Sequence, residues 1–225
     1  MRDYKISEMI LFPIGYMLLS VLLALVHTNF IGIWLGINVV LAVIPMLLIT
    51  LVYKRLEKSE FKFDWKSIVL LIVFVLFFPN TFYVITDLIH IDQSQFYINE
   101  LYQQTEYLRD IQDYVFLFHV LITVAIGVYA GVKSMLRFNS ILEESKVDKG
   151  TRVTFLYVLV LLSSVGIYIG RFLRFFSWDI LKPFDLLTEF YHSIDFFALL
   201  FFGLFSVIQL ILYYGYRYFY EEEPF

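Results

Sequence analysis

The chain has no cysteine. Disulfides, thiolate metal sites and a cysteine nucleophile are therefore excluded. Charge is also scarce: 17% of residues are Asp, Glu, Lys or Arg, against about 25% in soluble domains. No P-loop, no Rossmann fingerprint, no HExxH motif and no internal repeat is present. The usual nucleotide-binding and zinc-protease chemistries thus have no anchor. With a net charge of -4, nothing points to a nucleic acid partner.

What the chain has instead is apolar surface. Sixty per cent of it is hydrophobic and the mean hydropathy is +0.75. Its 225 residues are better counted in membrane spans of roughly 20 residues than in soluble domains. Six apolar segments are expected, at about 9–27, 30–53, 67–90, 114–136, 153–174 and 194–216. The predicted fold is an all-α membrane protein, a single polytopic domain over 1–225 with the lipid bilayer as its first partner. The first segment follows a short basic start (Arg2, Lys5), as a leader peptide would. Ala24-Leu25-Val26 is a poor cleavage site, however, and the run turns at once into a second apolar stretch, so a helical hairpin is expected.

Charge placement orients the spans. If the N-terminus is cytoplasmic, 13 of the 17 basic residues fall inside, leaving Arg109, Arg171, Arg174 and Lys182 outside. That asymmetry follows the positive-inside rule and puts both termini in the cytoplasm of a cell membrane. All four histidines (His27, His90, His119, His192) fall at outer span ends, as do many of the carboxylates. Chemistry is therefore expected at the outer face. In the second outer loop, Ile98, Leu101, Tyr102, Thr105 and Leu108 recur at helical spacing and predict a short amphipathic interfacial helix. Lys182-Pro183 should stop any helix leaving span five, and Trp178, Phe184, Phe190 and Tyr191 suit an aromatic belt. Gly127-xxx-Gly131 and Gly166-xxx-Gly170 predict close helix packing inside the bundle. The acidic run near residue 221 reads as a solvated tail.

The stretch FPNTFYVITDLIHID, residues 78–92, breaks the apolar pattern. Pro79 should kink or break the third span, with Asn80 satisfying the freed backbone groups. At about 100° per residue, Asn80, Tyr83, Asp87 and His90 fall within about 80° of arc, a polar stripe that lipid cannot satisfy. Asp87 and His90, three apart, can touch, orient one another or share a metal. Opposite them, span five ends GIYIGRFLRFFSWD, where a continued helix would put Arg171, Arg174 and Trp178 on one face. Arg171 and Arg174 can pair with Asp87, Asp179 or Asp195, bind an anion, or snorkel to head groups. Span six opens YHSID and repeats the three-residue Asp/His spacing with His192 and Asp195.

These motifs, PNTFYVITDLIHI and GRFLRFFSWDI, resemble a family of small bacterial multi-pass membrane proteins catalogued as domain of unknown function thirteen-sixty-one. The resemblance covers about residues 20–216. It carries over Pro79, Asn80, Tyr83, Asp87, Leu88 and His90, then Gly170, Arg171, Arg174, Trp178 and Asp179. It implies a polytopic membrane protein with an important outer-face cluster, and supplies no reaction.

Three functions are open at this point. A membrane enzyme would use Asp87 and His90 as catalytic groups. Asn80, Tyr83, Arg171, Arg174 and Trp178 would bind a lipid or lipid-linked anionic substrate. His90, His119, His192 and Asp195 are a candidate set for a divalent transition metal. An accessory subunit would use the acidic outer loops to dock a membrane-protein partner. A proton-coupled transporter would need a polar path running inward past Asn80, through Asn38 or Gln209.

Overall fold

The computed structural model describes residues 6–27, 30–98, 106–175 and 183–220. Among the described residues eight α-helices run in the order α1 (Ile6–His27), α2 (Ile31–Lys58), α3 (Trp65–Phe77), α4 (Pro79–Tyr83), α5 (Ile111–Glu144), α6 (Lys149–Phe172), α7 (Pro183–Ser193) and α8 (Phe196–Tyr220). A 3₁₀ segment, Val84–Gln93, continues α4. Six stretches are long and apolar enough to cross a membrane, and the third is the composite Trp65–Asp92. The protein is therefore an all-helical, multi-pass membrane protein. At about 1.5 Å per residue, the 34-residue α5 is about 51 Å long and overruns a hydrocarbon core of about 30 Å. It runs eight residues beyond the expected end at 136, past Lys133 and Arg137. Both are taken up by tyrosines: Lys133 Nζ reaches Tyr216 Oη at 2.8 Å and the Arg137 guanidinium lies 4.4 Å from the Tyr53 ring centre.

Helix starts follow the sequence. Asp64, Asp110 and Asp148 sit at the N-caps of α3, α5 and α6, accepting from the N–H of Ser67, Gln112 and Thr151 at 2.9–3.0 Å. Asp195 does the same for α8, accepting from Ala198 N–H at 2.8 Å.

The second loop departs from expectation. Tyr97–Ile98 and Glu106–Tyr107 pair as two short antiparallel strands, with Tyr97 opposite Tyr107. The ends of the proposed amphipathic helix are thus extended, and its middle, 99–105, lies outside the described residues. Beside the strand pair the rings of Phe96 and Tyr114 meet edge-on at 5.4 Å. Trp178, Asp179, Lys182, Arg2, Lys5 and the acidic tail also lie outside the described residues.

Span three is the centre of the bundle. Its broken stretch is held by two glycine pairs, one on each flanking helix. A Cβ on Gly127 would come within 2.4 Å of Val84 Cγ2 and 2.6 Å of the Thr81 carbonyl oxygen. One on Gly131 would meet the Phe82 ring at 2.6 Å, and one on Gly166 would meet Pro79 at 2.6 Å. Both small-residue motifs therefore act inside the chain, letting α5 and α6 close on α4 from two sides. Phe74, Phe78 and Phe82 are fully buried between them and head the main core with Ile49, Met135 and Ile167.

Candidate functional site

Pro79 has no N–H, so span three loses a helical hydrogen bond one turn back. Three side chains cover the break. Asn80 Nδ2 donates to the Phe77 carbonyl at 2.9 Å, Thr81 Oγ1 to Phe78 at 2.8 Å, and Thr86 Oγ1 to Tyr83 at 2.7 Å. Asn80 is therefore a backbone device, as expected of it, and its amide is turned to the break. Beyond Tyr83 the chain tightens to a 3₁₀ helix over ten residues, much longer than the three or four usual for that form. At three residues per turn, Asp87 and His90 come into register on one face. The stripe read from a uniform α-helix is redrawn, with the Asn80 amide turned back to the Phe77 carbonyl.

Asp87 is 2% exposed. Its Oδ2 accepts from Asn38 Nδ2 of α2 at 2.7 Å, and its Oδ1 lies 3.7 Å from an amino nitrogen of Arg171 on α6. One carboxylate thus joins three spans. The two contacts differ in kind. The amide makes a full hydrogen bond, whereas 3.7 Å is too long for one and leaves only Coulomb attraction, about 4 kcal/mol at an intermediate dielectric. The Arg171 side chain is 16% exposed, and among the described residues Asp87 is its one polar partner. Among those residues its five N–H donors meet a neighbouring charge but make no hydrogen bond. His90, three residues beyond Asp87, is half-buried. Tyr83 packs against Gly170, beside Arg171, where an added Cβ would lie 3.3 Å from the Tyr83 ring.

Arg174 does not join this group. Helix α6 ends at Phe172, and Arg174 takes a left-handed backbone conformation with φ 59°. Such a residue closes many helices, and glycine is usual there because other residues incur roughly 1–2 kcal/mol. The reversal carries the Phe175 carbonyl back over Gly170 and leaves Arg174 exposed. The single helical face proposed for Arg171, Arg174 and Trp178 therefore does not form, and Trp178 lies outside the described residues.

The proposed metal set is dispersed. Among the described residues no three His, Asp or Glu side chains gather as a metal site. His119 is buried against α1, its Nε2 2.9 Å from Ser20 Oγ. His192 is exposed and meets Tyr191, and Asp195 is committed to the α8 cap. Each of these three is engaged by a different neighbour, which sequence alone does not report.

A second polar cluster was not foreseen. Ser20 Oγ donates to the Tyr16 carbonyl at 2.9 Å and contacts His119. Tyr16 Oη bonds Thr123 Oγ1 at 2.8 Å and donates to the His119 carbonyl at 3.2 Å. It ties α1 to α5 through neutral groups. Asn38, too, was weighed only as part of a transport path. A lone amide amid the apolar run of α2 demands a partner, and that demand was the signal for its bond to Asp87.

A profile of the family described as protein of unknown function (DUF1361) matches residues 37–212. The chain belongs to this family. Asn38, Asp87 and Arg171 all lie within the match, whereas Tyr16 and Ser20 precede it. No curated protein and no solved structure matches the chain.

Proposed function

We propose that this membrane protein is a receptor for an anionic phosphodiester head group, carried on a lipid or a lipid-linked molecule, with Arg171 as the binding residue. One observation carries the reading: an arginine with a mostly buried side chain whose described polar partner stands at 3.7 Å, beyond hydrogen-bond reach. A phosphate offers the paired acceptors that such a fork lacks here. Asp87 holds the arginine in place, and Asn38 holds Asp87 in place. The same reading puts the site at the outer face of a cell membrane with both termini cytoplasmic. Its support is the basic side chains at the α2–α3 and α5–α6 turns, Lys54, Arg55, Lys58, Lys62, Lys146 and Lys149 among them. A catalytic role for Asp87 and His90 has less support. In this state the carboxylate is 2% exposed, with Asn38 on one oxygen and Arg171 facing the other.

A second reading, an accessory protein in which Asp87 and Arg171 only pin helices together, draws on that same closure. Native mass spectrometry after purification from mixed phosphatidylglycerol and phosphatidylcholine separates the two. The receptor retains phosphatidylglycerol, and Arg171→Gln loses it. Retention of neither lipid by the wild type, with Arg171→Gln merely less stable, favours the pin.

A further inference from the structure

We infer that anion binding at Arg171 takes up one proton, and that the proton goes to Asp87. The inference rests on the receptor reading above. Among the described residues Asp87 has two polar partners, Asn38 and Arg171, and of these Arg171 carries charge. Asn38 at 2.7 Å is a neutral donor and serves a protonated carboxyl as well as an ionised one, through Oδ2. Arg171 at 3.7 Å from Oδ1 is the cation that stabilises the ionised form in a position 2% exposed.

A bound phosphodiester neutralises that cation. Asp87 is then a buried carboxylate facing an arginine–anion pair of zero net charge, a few ångströms from a like charge. Its ionised form loses the interaction that sustained it. A proton from solvent binds Oδ1, the new hydroxyl can donate to the incoming anion, and the Asn38 bond on Oδ2 remains. Charge balances: one anion and one proton enter, and the net charge of the site is unchanged.

Other groups around the 3₁₀ segment are engaged elsewhere. From α5, Asp113 accepts from the Gln95 N–H at 3.3 Å, Tyr114 Oη reaches the Leu108 carbonyl at 3.4 Å, and His119 is turned to Ser20. From α4, Tyr83 packs on Gly170. α2 contributes only the uncharged Asn38. His90, on the same segment, is the rival proton acceptor.

The test uses the full chain in phosphatidylcholine nanodiscs, titrated by calorimetry with dihexanoyl-phosphatidylglycerol and, in a second arm, with dimethyl phosphate. Neither probe titrates near neutral pH. Heats compared in buffers of different ionisation enthalpy give the protons taken up. Close to one proton per bound phosphatidylglycerol is expected, abolished in Asp87→Asn for whatever binding that variant retains, and preserved in His90→Gln. Binding of dimethyl phosphate with the same uptake assigns the site to a free phosphodiester rather than a lipid. Should Asp87→Asn fail to fold, wild-type affinity still decides: it must rise about tenfold for each pH unit lowered across neutrality. Binding without proton uptake, or uptake that survives Asp87→Asn, overturns the coupling and leaves the receptor standing. Binding of neither probe overturns the receptor, and the coupling with it.

Discussion

Two of the buried polar clusters that tie helices of this bundle together are built differently. The Tyr16–Ser20–His119–Thr123 cluster is neutral, and its bonds run from 2.8 to 3.2 Å. The Asn38–Asp87–Arg171 cluster is charged, and its second link stands at 3.7 Å. A polar group used only to hold helices is expected to be neutral and closely bonded, because that is the least costly form in an apolar interior. An arginine held by charge alone keeps its hydrogen-bonding capacity, and that difference separates a joint from a site.

The largest effect should come from removing the carboxylate. Asp87→Ala leaves Arg171 buried without a counter-charge and should cost roughly 3 kcal/mol or more, seen as a lowered midpoint of unfolding in detergent. Asp87→Asn with Arg171→Gln removes both charges and should recover over half of that loss. Losses that simply add would show that the pair is not coupled. Next comes the cradle holding Asp87. Gly127→Ala or Gly166→Ala forces a methyl within 2.6 Å of neighbouring atoms and should destabilise by about 1–3 kcal/mol. Gly203→Ala, with nothing within 4 Å, should be neutral or slightly stabilising by comparison.

Breaking the neutral cluster should matter less. Ser20→Ala removes contacts to Tyr16 and His119 and should cost about 1 kcal/mol, the scale of membrane interhelical hydrogen bonds. The smallest effect is predicted at the opposite end of the bundle. Hydrogen bonds from Arg55 above all, then from Ser67, hold the exposed Asp64 carboxyl well below the usual carboxylate range. A folded-state value below the unfolded one contributes stability above about pH 4 that is lost as pH falls. Asp64→Asn should flatten the acid decline of the unfolding midpoint without touching the site.

Much of this was legible in the residues. Six apolar runs, the break at Pro79, the repair by Asn80 and the inward use of both glycine pairs follow from helical periodicity and the cost of polar groups in lipid. Pairing of Asp87 with Arg171 was one of the alternatives read from the exceptions to charge asymmetry. What escaped was angular. The polar stripe assumed α-helical rotation through residues 84–93, and the 3₁₀ geometry changes each residue's heading by about 20°. The arginine face assumed that α6 ran on past Phe172. The histidine set assumed that shared depth meant shared surroundings. In each case local composition was right and the direction of a side chain, set by tertiary packing, was not.

The measurement that tests the account most directly is the shift in unfolding midpoint with dihexanoyl-phosphatidylglycerol in wild type, Ser20→Ala and Arg171→Gln. A hundredfold excess over the dissociation constant stabilises by about 2.7 kcal/mol. The account predicts that stabilisation in wild type and in Ser20→Ala, and none in Arg171→Gln. Equal shifts in all three, or no shift in wild type, would contradict it.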